Sequence, residues 1–125
     1  MLSQAKLVAF VATADAARAR SFYRDTLGLR LVSDEAFAIV FDARGTQLRV
    51  TIAREVTPAP YTVLGWEVPD IAAAIEALSK RGVQLKRYPG LGQDERGVWT
   101  APGGTKVAWF SDPDGNVLSV SQPPR

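Results

Sequence analysis

Apolar and polar positions alternate with a period of two in several short runs, and two longer stretches between those runs repeat near 3.6. The first run, residues 6–12, is apolar at nearly every position and predicts a strand buried on both faces. Asp15 then offers an N-cap, and Ala16, Ala19, Tyr23 and Leu27 fall on one helical face with Arg18, Arg20, Arg24 and Asp25 opposite. Gly28 stands where a left-handed cap belongs, so the helix is expected to end at Leu27. Strands follow at 30–33, 36–42 and 46–53, the last two joined by an Arg44-Gly45 turn.

After the proline-bearing linker 56–60 the order starts again. Residues 61–68 predict a strand, and Pro69-Asp70 opens a helix whose stripe is Ile71, Ala74, Ile75 and Leu78, closed by Gly82. Strands are then expected at 83–88 and 97–100. A final hairpin over 106–122 turns at Asp112-Pro113-Asp114-Gly115-Asn116, where proline presets φ and glycine and asparagine tolerate positive φ. The loop 89–96 is too polar and glycine-rich for a strand, and reads either as a border of a ligand site or as a plain connector.

The aromatic residue before an x-Asp-Pro-Asp-Gly-Asn turn, the closing strand and the twofold strand–helix–strands order resemble the vicinal oxygen chelate superfamily, which includes glyoxalases, bleomycin-resistance proteins and extradiol dioxygenases. The resemblance implies an α+β fold. Two βαβββ modules, residues 5–55 and 60–122, would form a curved, cup-shaped, eight-stranded mixed sheet with helices outside, in a single domain spanning 1–125. Alternation then sorts the side chains. Leu48, Val50, Leu118 and Val120 should face the helices. Phe10, Gln47, Arg49, Tyr61, Glu67, Trp99, Trp109, Ser119 and Ser121 should face the cup.

Composition narrows the chemistry. There is no cysteine and no histidine, which removes thiol chemistry and the commonest metal ligand and general base. The net charge of +2 is spread over eleven arginines and four lysines among thirteen carboxylates, without the concentrated patch that nucleic acid requires. Lys6 and the apolar residues after it imitate a secretory signal, but the pattern recurs in mid-chain and is read as folded strand. No apolar run reaches the roughly 20 residues of a membrane helix. A cytoplasmic protein is expected.

Metal-dependent members of the family place one His, Gln or Glu ligand near the middle of the first and third strands of each module. The matching positions here are Val8, Arg49, Val63 and Ser119. An isopropyl group has no lone pair and a guanidinium repels a cation, so no metal and no other cofactor is expected. The resemblance then points to a metal-independent small-molecule binding protein of the bleomycin-resistance kind, a homodimer, with its ligand in an aromatic cup near Arg49. Arg49 would pair with Glu67, bind an anionic ligand or reach the rim. Two other readings stand beside this one. One is a metal-free or atypical lyase, isomerase or dioxygenase-like enzyme, with Tyr61, Tyr88 or Glu67 moving a proton. The other is an interaction module whose cup is filled by its own side chains.

Overall fold

A computed structural model describes all residues, Met1–Arg125. The chain forms two compact units, Met1–Thr57 and Pro58–Arg125. Each contains one strand, one helix and three further strands, so the βαβββ order predicted twice is present twice.

In the first unit β1 (Val8–Thr13) is followed by α1 (Ala16–Ser21), β2 (Arg30–Asp34), β3 (Ala38–Ala43) and β4 (Thr46–Ile52). The sheet order is β1-β4-β3-β2, with β1 parallel to β4 and the other neighbours antiparallel. In the second unit β5 (Thr62–Glu67), α2 (Ile71–Lys80), β6 (Trp99–Thr100), β7 (Lys106–Ser111) and β8 (Val117–Gln122) give the order β5-β8-β7-β6. Here β5 runs parallel to β8. The result is an α+β fold of two four-stranded mixed sheets.

The two helix starts are built alike. Asp15 accepts a hydrogen bond from the Arg18 N–H at 3.1 Å, and Asp70 accepts one from the Ala73 N–H at 3.2 Å, each carboxylate satisfying an amide that has no partner inside its helix. Their backbones nearly coincide, with φ, ψ of −140°, 95° and −142°, 101°. Gly28 and Gly82, at φ of 76° and 83°, end the two units' helical segments in the left-handed conformation that glycine adopts without steric cost.

Strand alternation buries one face of β4, β7 and β8, while β3 is buried on both, Ala38 and Val40 included. Ile39, Phe41, Leu48 and Val50 are buried on the helix side of the first unit, and Ala108, Phe110, Leu118 and Val120 are buried in the second. Burying side chains of this size contributes about 1.5–3 kcal/mol each for the larger ones, which is what holds each helix on its sheet. Tyr23 is fully buried, its ring 5.9 Å from that of Phe41.

Local structure departs from the sequence pattern in two places. The first helix is α-helical only to Ser21 and continues as a π-helical turn over Phe22–Thr26, with the Leu27 N–H bonded to the Phe22 carbonyl at 2.9 Å. Residues 83–88, expected as a strand, are irregular. One ladder bond survives, from the Lys86 N–H to the Trp109 carbonyl at 2.8 Å. The short β6 occupies the same edge of β7 further along, pairing Trp99 with Val107. The Gln93 side chain replaces a strand partner. It accepts from the Tyr88 N–H at 2.7 Å and donates to the Lys86 and Gly97 carbonyls at 3.0 and 2.8 Å.

Candidate ligand-binding site

The open face of the second sheet is set by register. Trp109 on β7 stands opposite Ser119 on β8, which stands opposite Gly65 on β5. The next row joins Trp99, Val107, Ser121 and Glu67. A Cβ on Gly65 would lie 2.6 Å from the Ser119 hydroxyl oxygen, so the serine leans over the space that glycine leaves.

A register shift between Thr62 and Leu64 bends β5 at the edge of this face. The Trp109 indole N–H donates to the Thr62 hydroxyl at 3.0 Å, which fixes the ring. Two rings pack on it. Trp99 lies 6.1 Å away with planes at 32°, and Tyr88 meets it edge-on at 5.4 Å and 89°, both within the favourable range for aromatic pairs. Together they wall a hollow of about 550 Å³, whose remaining lining includes Pro60, Tyr61, Leu91 and Val117. Burial pushes the Tyr88 phenol above its ordinary pKa, so it stays a neutral hydroxyl.

Of the residues expected in the site, Tyr61, Trp99 and Trp109 therefore come together. Ser119, Ser121 and Glu67 lie on the same sheet face, outside the lining of the hollow. Thr62 was missed because a bulge, invisible in simple alternation, brings it to Trp109. Tyr88 stood in the sequence only as a proton donor, since its segment read as an ordinary strand.

In the first unit, register aligns Phe10 on β1, Arg49 on β4, Val40 on β3 and Ser33 on β2. Phe10 is 60% exposed. Gln47 lines a separate hollow of about 390 Å³ together with Lys6, Arg30, Glu35 and Asp42. Arg49 finds a carboxylate within its own unit. The Arg49 guanidinium lies 3.3 Å from Glu35 in the β2–β3 connection, and Glu35 also accepts from the Ser33 hydroxyl at 2.9 Å. The Ser33 hydrogen bond first, and Arg49 second, hold the Glu35 carboxyl below its ordinary range. Glu35 escaped sequence reasoning because it lies in a connector, where alternation assigns no face.

Val8, Arg49, Val63 and Ser119 offer one weak hydroxyl donor among them, and nowhere do three or more His, Cys, Asp or Glu side chains converge to hold an ion. The donor set does not fit a divalent cation of the usual kind.

The βαβββ order, built twice, defines an α+β protein of two like modules, and the second module carries a charge-free aromatic hollow on its open sheet face. Residues 6–120 match the model of the Glyoxalase/Bleomycin resistance protein/Dioxygenase superfamily, and the chain belongs to that superfamily. Among solved structures it is similar to a superfamily member from Sphaerobacter thermophilus, with 25% identity over 98% of this chain and 99% of that one and a TM-score of 0.76. It is also similar to TnmS3, an antibiotic binding protein from a Streptomyces species, with 27% identity over 98% of both chains and a TM-score of 0.73. A lactoylglutathione lyase from Agrobacterium tumefaciens shares the fold at 18% identity, covering 95% and 93% of the chains with a TM-score of 0.72. No curated protein matches significantly. No helix is long and apolar enough to cross a membrane.

Proposed function

We propose that this chain is a metal-independent small-molecule binding protein that holds its ligand against the Trp99–Trp109 wall. The observation that carries the reading is the hollow itself, with three interlocked rings and an apolar lining. The likeness to an antibiotic binding protein along nearly the full length of both chains supports it. Binding by shape and stacking needs no reactive group, which suits a lining without carboxylate, histidine or cysteine. For the same reason the enzyme reading is not taken up, because a proton donor such as Tyr88 has no base beside it in this lining. Arg49 is left outside the site, its guanidinium being engaged by Glu35.

The reading also has the protein acting as a homodimer in the cytoplasm. The large apolar side chains of Phe10, Val32 and Phe37, between 51% and 82% exposed, support a partner surface on the first unit. Sedimentation at micromolar concentration is expected to give twice the chain mass.

Binding is tested by following the tryptophan indole N–H resonances while a panel of flat aromatic compounds is added. Saturable shifts at Trp99 and Trp109 are expected, with Trp66 unaffected. Replacing Trp99 by Ala should weaken binding by about 2- to 13-fold, the equivalent of one aromatic contact of 0.5–1.5 kcal/mol. A panel without a single saturable shift at either ring would overturn the reading.

A further inference from the structure

The hollow beside Trp109 is lined without a single charged side chain. With 22% of the chain charged, a lining of ten residues would carry about two ionised side chains, yet none of the ten is Asp, Glu, Lys or Arg. Three other hollows, of about 390 to 750 Å³, each carry at least three, as Lys6, Arg30, Glu35 and Asp42 do in the first unit. The polar side-chain atoms of the lining are three hydroxyls and two indole N–H groups. The Trp109 indole donates to the Thr62 hydroxyl, whereas the Tyr61 and Tyr88 phenols and the Trp99 indole make no hydrogen bond to the protein.

We propose that this hollow selects an electrically neutral, flat molecule whose edge carries hydrogen-bond acceptors, with the Tyr61 and Tyr88 hydroxyls as donors. The inference rests on the binding reading given above and adds the ligand's charge and edge chemistry. An ion pressed against this wall gives up part of its water and finds no counter-charge in the lining, a cost that a neutral molecule of the same shape does not bear. A cation would have only ring faces to meet it, and the edge-on contact of Tyr88 with Trp109 takes up part of that aromatic surface. A neutral planar molecule keeps the stacking area and suffers no such loss. An acceptor such as a carbonyl oxygen then meets a phenol that burial keeps protonated well into alkaline solution.

Four probes of one ring system separate the possibilities: methyl 2-naphthoate, 2-naphthoate, trimethyl(2-naphthyl)ammonium and naphthalene, each titrated into the whole protein while the Trp109 indole N–H signal is followed. The neutral ester is expected to bind at least fivefold more tightly than either ion and at least threefold more tightly than naphthalene. In the Y61F/Y88F double variant the ester's advantage over naphthalene should vanish, while its advantage over the ions persists. Tighter binding of the anion or the cation, or an ester advantage that survives both substitutions, overturns the inference while leaving the hollow a binding site. Failure of all four probes to move Trp109 overturns the binding reading and the inference together.

Discussion

The turn between β7 and β8 sets the position of Trp109, and its stability rests on one carboxylate. Asp112 Oδ1 accepts from the Asp114 and Asn116 backbone N–H groups at 3.0 and 2.9 Å, and its Oδ2 accepts from the Asn116 side-chain amide at 2.8 Å. Asp112 and Asn116 are each only 5% exposed, so water cannot readily take over these partners. Asp112→Ala removes these three hydrogen bonds and leaves the main-chain bonds between Asp112 and Asn116 and between Gly115 and Asp112, both 3.0 Å, in place. The Asn116 amide can reorient, but the two backbone donors cannot. At about 1–3 kcal/mol for each donor left unpaired, the loss for the two is about 2–6 kcal/mol, a large part of the roughly 5–15 kcal/mol that holds a domain folded. Urea unfolding is the assay, and the midpoint should fall with the slope unchanged. Asp112→Asn keeps an oxygen for the two backbone donors and should cost about 1 kcal/mol, the value of one altered side-chain contact. A loss below about 0.5 kcal/mol for Asp112→Ala, within the range of ordinary surface changes, would refute the reasoning. So would an Asn variant as unstable as the Ala variant.

Other outcomes follow from the same geometry. Thr62→Val removes the acceptor for the Trp109 indole at nearly constant volume, and should move that N–H resonance and weaken aromatic ligands by about 2- to 5-fold, with Thr62→Ser restoring both. Gly115→Ala meets a φ of 88° and a Pro58 carbon at 3.0 Å, and should cost about 1–2 kcal/mol, read as a lower melting temperature. The Glu35 carboxyl should titrate below its ordinary value of 4.5, because the Ser33 hydroxyl and Arg49 favour its ionised form. Its contribution to stability is therefore complete above pH 4.5 and is lost as the pH falls through the lower folded value. In Ser33→Ala the carbon-detected titration midpoint of Glu35 should rise, and an unchanged midpoint would deny the hydroxyl its part.

The sequence revealed most about what repeats. Asp15 and Asp70, with Gly28 and Gly82, mark two like units because a cap and a left-handed end are local requirements, set by a few neighbouring residues. The final hairpin was legible for the same reason. Face assignment from alternation also held for Leu48, Val50, Leu118 and Val120, since a strand with one buried side cannot slip by a residue without exposing its core. What stayed hidden depends on partners distant in sequence. Residues 83–88 have the composition of a strand, but Gln93 bonds their backbone instead of a neighbouring strand. Glu35, the carboxylate that pairs with Arg49, lies fourteen residues earlier in a connector, where alternation assigns no face. The widening of the first helix after Ser21 has no mark in its apolar spacing, because Tyr23 reads as core under either helical period.

Gln93 has a consequence of its own. Its amide bolts down the base of the 89–96 segment, and Arg87 adds a bond to the Asp94 carbonyl at 2.8 Å, whereas residues 89–92 are tied back only by the Leu91 N–H to the Tyr88 carbonyl at 3.2 Å. Anchorage and contact are thus divided between adjacent stretches of chain. Substitutions at the tip, residues 89–92, should therefore alter the wall of the hollow while leaving the clamp beneath it in place.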